Sequence, residues 1–326
     1  FYTINSNWAM PGSVEAIFCG PSANSDGNAN NSNWNTSKVF GPKNAKVVAH
    51  DNVIHQPTAN LIRAYGMKNG LPIDDPDSGF DPAQPYKNRD PRFYHDIVFD
   101  GFHYVLAADK LSTEQKPYEY CSLYTGGDMR DVATSSSTGY FCQKLIPHQC
   151  NEGDKMYDWG FSLHCYLPYM RLADIYLMYA EAVGAVNGAK AKSTTCSLTA
   201  EDAINRVRER CEAGRVHAKY TADKKLFIDE VRRERAVELA FEGFRWCDLQ
   251  RWLLLTEPEY ATKYSDEFDR LENAAFFTTK DPADARVANY RKEVLFKRQL
   301  DTKHYWFPLP DKDVYLYKEF EQNPGW

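Results

Sequence analysis

The most constraining part of this sequence is residues 169–252, where apolar residues recur at the period of an α-helix in three successive segments. In the first segment, apolar side chains between Leu172 and Val183 repeat at i, i+3, i+4 and i+7, and Gly188 follows as a suitable stop. This pattern predicts a helix over about residues 169–187.

The second segment has a helix start encoded in its first residues. Thr199 can cap a helix with its hydroxyl, and Asp202 occupies the reciprocal position of a capping box. Ile204 and Val207 continue an apolar stripe, and Gly214 is expected to end the helix. Two helices of this length, joined by a polar connection, are typical of an antiparallel αα-hairpin.

The third segment places charged residues where burial is costly. At about 100° per residue, Glu234 and Glu238 lie at the centre of the helix face that carries Phe227, Val231 and Phe241. A carboxylate on an apolar face needs a partner, because an unpaired buried charge is strongly destabilising. The two glutamates therefore require either a catalytic or a structural explanation.

The catalytic explanation is a general acid/base pair, because two carboxylates in one pocket split their pKa values. The structural explanation needs only cations. Arg208 falls on the apolar face of the preceding helix, and Arg171, Arg206 and Arg245 are further candidates. We favour the structural explanation because these arginines supply enough donors and no nucleophile or histidine accompanies the pair. We expect Arg208 and Arg171 to form buried ion pairs with the two glutamates.

At this point the residues resemble a known family, the SusD/RagB nutrient-binding lipoproteins found on the outer membranes of Bacteroidetes. The resemblance is to the C-terminal half of the family. It is carried by four motifs, at residues 171–174, 179–182 (YAEA), 205–208 and 242–252. The order arginine-leucine-alanine at the start of the first motif departs slightly from the commoner arginine-tyrosine-alanine, on the same helical frame.

Other segments extend the resemblance along almost the whole chain in the family's order. They are residues 57–73, 87–101 and 306–326. Family members are usually longer, and the first residues here show no basic or apolar leader and no nearby cysteine. We therefore expect residues 1–326 to be a single SusD-like domain, the C-terminal portion of a protein whose N-terminal helical half, signal peptide and lipid-anchor cysteine are absent from this chain.

The expected fold class is mainly α. The resemblance implies a SusD-like, TPR-like scaffold of helical hairpins with long irregular loops. Within it, residues 58–65 are predicted to be a short helix. Alternating residues over 93–101 predict a strand, and a short β-hairpin is expected to continue to about Ala107. Residues 257–291 are expected to be loop-rich, with a short helix or strand over 292–301.

Composition excludes several classes of function. The chain has 326 residues, a formal net charge of -6 and a pI near 5.8, so nucleic acid is not an expected partner. No run of apolar residues approaches the roughly 20 that a membrane span requires. None of the eight cysteines forms a CxxC pair, and Cys211 and Cys247 are expected to be buried thiols on helices. No metal and no cofactor are predicted.

Aromatic residues make up 14% of the chain, and many lie among Asn, Ser, Gly and Pro instead of on helical stripes. A sugar ring has an apolar face and a polar rim, so an aromatic ring surrounded by polar side chains suits its shape. The alternative is that these rings fill loop-rich cores. Six residues in irregular segments are predicted to bind the ligand: Trp34, Tyr118, Tyr120, Tyr124, Tyr157 and Trp159.

The expected function is capture of an oligosaccharide at the cell surface, without catalysis. The resemblance implies a SusC-like TonB-dependent transporter as partner and an outer-membrane location, with the membrane reached only through a lipid anchor of the full-length protein. A RagB-type peptide-binding protein is an alternative within the family. A glycoside hydrolase that uses Glu234 and Glu238, and a helical interaction scaffold whose aromatics are all core, are alternatives from other classes.

Overall fold

The computed structural model describes residues 14–19, 56–130, 135–144, 154, 168–316 and 319–326. The described part is mainly helical, as expected. Its helices are α1 Ala59–Ala64, α2 Pro91–Asp96, α3 Leu172–Asn187, α4 Ala200–Arg210, α5 Ala218–Thr221, α6 Lys224–Glu238, α7 Phe244–Arg251, α8 Pro258–Ala261, α9 Ala274–Thr279 and α10 Asp311–Val314. Across these residues, none of the helices has the combination of length and apolar character that crossing a bilayer would need.

Six strands form three antiparallel pairs in the described part of the chain. β1 (Ala16–Cys19) pairs with β4 (Pro168–Arg171), and β2 (Ile97–Val98) pairs with β3 (Phe141–Cys142). The third pair is much longer and consists of β5 (Thr262–Arg270) and β6 (Val287–Lys297).

The predicted αα-hairpin is confirmed. Helices α3 and α4 pack against each other and against α6 around a buried cluster that includes Leu177, Ile204 and Phe227. Helix α3 ends at Gly188, whose φ of 83° is readily adopted by glycine. At the start of α4, Thr199 and Asp202 form the predicted capping box.

Helix α4 does not end in the predicted way. Its left-handed residue is Glu212, with φ of 58°, and Gly214 lies two residues further on. The amide of Glu212 donates to the carbonyl of Glu209, and the amide of Ala213 donates to that of Arg208. These two bonds form a Schellman motif, so backbone hydrogen bonding ends the helix with a glutamate at the position that glycine usually occupies.

The third predicted helical segment is two helices. Helix α6 stops at Glu238, and α7 begins at Phe244. Phe241 lies between them with φ of 64°, so it does not continue the face that carries Phe227 and Val231. That part of the prediction is wrong, because a left-handed residue interrupts the helical period that the sequence alone suggested.

Two further secondary-structure predictions are wrong. Residues 93–96, expected to begin a strand, belong to α2, because Asp90 caps that helix through the amide of Arg92 and Pro91 fits its first position. Residues 257–291, expected to be loop-rich, instead contain β5 and the first five residues of β6. The short helix predicted over residues 58–65 is confirmed as α1.

The core lies in three clusters of buried residues. One surrounds Ile62, Phe93 and Phe268 and joins α1 and α2 to the β5–β6 hairpin. The second is the αα-hairpin cluster, and the third packs the irregular segment near Leu123 under β3. The prediction that Cys211 and Cys247 are buried is wrong at both positions. Cys211 is half-buried, and Cys247 is exposed on α7.

Candidate functional site

The carboxylate of Glu234 lies between two arginines in the core. Arg208 Nε donates to Oε2 over 2.8 Å, and Arg92 Nη1 donates to Oε1 over 2.5 Å. Arg208 also donates to Glu230 over 2.8 Å. Each oxygen of Glu234 therefore accepts a charge-assisted hydrogen bond, which offsets the cost of removing the carboxylate from water.

Glu238 lies one turn further along α6 and has three arginine partners. Arg171 Nη1 and Arg210 Nη2 donate to Oε1 over 2.5 and 2.6 Å, and Arg92 Nη1 donates to Oε2 over 2.9 Å. Burial by itself raises the pKa of Glu238, but Arg171, Arg210, Arg92 and Lys144 outweigh that effect and hold the pKa well below its usual range. The group is therefore a stable anion.

The structure pairs Arg171 and Arg208 with these glutamates but does not use the other two candidates. Arg206 is exposed on α4, and Arg245 forms no ion pair among the described residues. The partners that sequence reasoning missed are Arg92, Arg210 and Lys144. Arg92 comes from the segment RDPR, more than 140 residues before Glu234. In the sequence its evident partner is the neighbouring Asp90, to which it does donate, and nothing in the spacing pointed to the distant glutamates.

A cavity of about 370 Å³ lies beside this network. Its walls are charged and come from α2, the end of α4 and the end of α6. They are Pro91, Arg92, His95, Asp96, Lys144, Arg210, Cys211, Glu212 and Glu238. The cations that line the cavity already have anionic partners, because Arg92, Arg210 and Lys144 each form an ion pair with a glutamate. The cavity is therefore lined by matched charges.

A second feature brings together aromatic residues from distant parts of the chain. His103 stacks on Tyr120 at 4.5 Å between ring centroids, with an angle of 16° between the planes. Phe277 follows Tyr120 at 6.4 Å, and the Arg270 guanidinium lies 4.6 Å from Phe277 and 4.5 Å from Tyr124. We call these five residues, in this order, the aromatic row.

Arg270 is fixed within the aromatic row by Asp100. Its Nε and Nη2 donate to the two oxygens of Asp100 over 2.7 and 2.5 Å, and Nη2 also donates to the carbonyl of Cys121. Burial raises the pKa of Asp100, and Arg270 offsets part of that rise. The ring of Phe277 packs directly against the backbone of Gly101, which has φ of 81°. A Cβ at this position would overlap the ring.

The outer end of the aromatic row is polar and accessible. The His103 side chain is 39% exposed, and its Nε2 lies 3.2 Å from a carboxylate oxygen of Glu119. The opposite end is held by the core, because Tyr124 packs against the cluster around Phe268. The row thus presents one aromatic ring, next to a carboxylate, on a rigid base.

Of the six predicted ligand-binding residues, Tyr120 and Tyr124 lie in the aromatic row. Tyr118 lies elsewhere, half-buried against the core cluster around Leu123. Trp34, Tyr157 and Trp159 fall outside the described residues. Sequence reasoning missed His103, Arg270 and Phe277. Alternation along residues 262–270 was the available signal for Arg270, since it predicts a strand with Phe268 and Arg270 on one face.

Comparison with known proteins identifies relatives of this chain. The family model described as SusD family matches residues 14–326. A SusD-like protein of Bacteroides ovatus is 29% identical over 172 residues, which are 52% of this chain and 28% of that protein.

Two solved structures show the same fold. A SusD-like protein of Bacteroides fragilis aligns with a TM-score of 0.68 and 24% identity over 99% of this chain and 56% of its own. A SusD-like carbohydrate binding protein of the same species aligns with a TM-score of 0.51 and 22% identity, over 81% of this chain and 48% of its own.

The chain thus spans about half the length of the solved relatives that it matches. The family match, by contrast, covers nearly all of the chain and includes α2, α4 and α6, whose charged residues contribute to the buried network. On these grounds, the chain belongs to the SusD family.

Proposed function

We propose that this chain is part of a cell-surface protein that binds oligosaccharides without cleaving them and delivers them to a SusC-like TonB-dependent transporter. The full-length protein would be held at the outer membrane by a lipid anchor. Membership of the SusD family supports this proposal, as does the similarity in fold to a Bacteroides fragilis protein described as carbohydrate binding. The observation that carries it in this chain is the aromatic row.

The outer end of the row has the chemistry that a sugar needs. The exposed imidazole of His103 offers a flat surface for the C–H face of a pyranose, and the Glu119 carboxylate beside it can accept hydrogen bonds from hydroxyl groups. Tyr120 stacks on the imidazole at 4.5 Å between ring centroids. The imidazole is therefore already held in place before the ligand binds, which lowers the entropic cost of binding.

The buried glutamates argue against hydrolysis. A glycosidase needs one carboxylic acid with a raised pKa as its proton donor. The pKa of Glu238 is instead well below its usual range, and Arg92 donates to both Glu234 and Glu238. Both carboxylates therefore act as anionic partners for arginine within a scaffold.

Binding of the full chain to a glycan array, followed by calorimetry on the best ligands, tests the proposal. His103→Ala and Tyr120→Ala should each weaken binding about tenfold, which corresponds to about 1.4 kcal/mol for loss of an aromatic contact. Tyr315→Ala is the control, because that tyrosine is 84% exposed and lies outside the row.

Three results would contradict the proposal. They are binding to peptides with no glycan bound, release of reducing ends from a bound oligosaccharide, and glycan affinity that is equal in Tyr120→Ala and Tyr315→Ala. The transporter is tested separately, by co-purification of the full-length protein with a TonB-dependent partner from outer membranes.

A further inference from the structure

A group of cations lies near the start of the β5–β6 hairpin. Among the described residues, Arg245, Lys263 and Arg298 form no ion pair, and Nη1 of Arg245 is buried without a hydrogen-bond partner. This contrasts with the network around Glu238, where every arginine bonds to a glutamate. Like charges held together without counter-ions create a positive potential that favours an anion.

The neighbouring side chains fix these cations and do not neutralise them. The Arg245 guanidinium lies 5.8 Å from the ring of Trp252 and 5.5 Å from that of Tyr260. Two carboxylates act on Arg245 from nearby, but Asp248 already accepts bonds from Arg235 and Arg251, and Glu259 is exposed. Aromatic faces therefore hold the guanidinium in place, and no carboxylate in the described part of the chain forms an ion pair with it.

Lys263 responds to this surplus of positive charge. Partial burial, with Arg298 and Arg245 acting in the same direction, lowers its pKa to about 8. An anion bound beside the ammonium would reverse the effect of those two arginines. Lys263 is half-buried, so part of its side chain remains open to solvent and to a bound anion.

An exposed ring lies directly across the hairpin from this lysine. Phe296 is the register partner of Lys263, so the two side chains share one face of the sheet, and the ring is 50% exposed. Arg298 lies two residues beyond Phe296, where its amide donates to the carbonyl of Ala261 and extends the pairing of the strands. The surface thus offers cations and a flat apolar ring side by side.

We propose that this surface, formed by Lys263, Phe296 and Arg298 with the charge of Arg245 nearby, binds the charged sugar of an acidic oligosaccharide. Phe296 takes the C–H face of the pyranose, and Lys263 and Arg298 take its carboxylate or sulfate group. This inference rests on the proposed function and narrows it to anionic glycans. It also places a contact far along the chain from the irregular loops in which the sequence predicted ligand binding.

The test compares oligogalacturonate with its methyl ester, and a sulfated galactan oligosaccharide with its desulfated form, as ligands of the full chain in calorimetry. One acidic form should bind at least tenfold more tightly than its neutral counterpart, and the pair that shows the difference identifies the anion. Added salt should reduce that difference, because the contribution is electrostatic.

The variants separate this surface from the aromatic row. Lys263→Met should remove most of the preference for the acidic form, and Lys263→Arg should retain it. Lys292→Met is the matched control, because that lysine lies on the same hairpin over the ring of Tyr264 at 5.1 Å and should leave the preference unchanged. In ¹³C NMR of the methylated protein, the acidic ligand should raise the pKa of Lys263 from about 8.

The two proposals fail in different ways. Equal affinity for acidic and neutral forms, or equal effects of Lys263→Met and Lys292→Met, overturns the anion site. If neutral glycans still bind in a manner that depends on Tyr120, the proposed function survives that result. Absence of binding to any glycan overturns both.

Discussion

Arg208 donates from Nε to Oε2 of Glu234 over 2.8 Å, and both side chains are 1% exposed. The pair connects α4 to α6, so a charge on one helix is buried only because the other helix supplies its partner. Arg92 joins the same glutamate to α2. Three helices are therefore held in register by groups that would each be costly to bury alone.

Loss of one member of this pair should be severe. Arg208→Met removes the donors to Glu234 and Glu230 and leaves both carboxylates buried with fewer partners. We expect the free energy of unfolding in urea to fall by about 3–5 kcal/mol. Arg206→Met is the control on the same helix, since Arg206 is exposed and a surface substitution costs about 0.5 kcal/mol or less. Equal losses in the two variants would contradict a structural role for the pair.

Acid should destabilise the fold in a defined range. Burial raises the pKa of Glu230, but Arg233 and Arg208 outweigh it and lower the pKa from 4.5 to about 2. Because the folded value is the lower one, the stabilisation is complete above the unfolded pKa and is lost as pH falls from about 4.5 towards 2. Chemical unfolding measured at several pH values should show this loss.

Glu230→Gln isolates that contribution. It should lower stability at neutral pH and flatten the dependence on pH between about 4.5 and 2, because the variant has no proton to take up there. Asp100 and Asp266 act in the opposite direction, since burial raises their pKa and protonation favours the folded state. An unchanged slope in Glu230→Gln would assign the acid sensitivity to other groups.

A substitution at the end of α7 should make the protein more stable. Leu253 is left-handed, with φ of 58°, and occupies the glycine position of a Schellman motif in which Leu253 donates to Gln250 and Leu254 donates to Leu249. Its side chain is 69% exposed, so little packing would be lost on removal. Leu253→Gly should raise the free energy of unfolding by about 1 kcal/mol, through relief of backbone strain. Leu253→Ala keeps the strain and should give no such gain, so equal stabilities would refute the argument.

Gly214 should tolerate no side chain. A Cβ at this position would overlap the backbone carbonyl of Asn69, and the Gly214 amide donates to the carbonyl of Lys68. Gly214→Ala should therefore cost more than about 1 kcal/mol in thermal or urea unfolding, because backbone atoms must move. Gly79→Ala is a useful comparison. That glycine has φ of 73° and open space around its Cα, so only the conformational cost of about 1 kcal/mol applies. A smaller loss at Gly214 than at Gly79 would contradict the close approach.

Sequence reasoning succeeded where the signal is local. The capping box of Thr199 and Asp202 and the end of α3 at Gly188 depend on residues within a turn or two of each other. It failed where distant parts of the chain compete for a residue. Residues 93–96 alternate like a strand, yet the cap from Asp90 and the burial of Phe93 against α1 make them helical.

The candidate sites show the same division. An excess of aromatic residues in irregular segments indicated Tyr120 and Tyr124 as contact residues, but His103, Arg270 and Phe277 meet them only after residues 101–124 and 270–277 are folded together. Lys263 and Phe296 become neighbours only through the register of a hairpin whose turn region is 16 residues long.

The sequence by itself determined the family, the helical hairpin and the presence of two glutamates that require cations, because periodicity, caps and motif order are properties of short segments. Only the tertiary structure decided which cations those are, and which charges are left without partners. Arg92 reaches Glu234 across 142 positions of sequence. Coulomb energy depends on distance in space and on burial, and neither can be read from spacing along the chain.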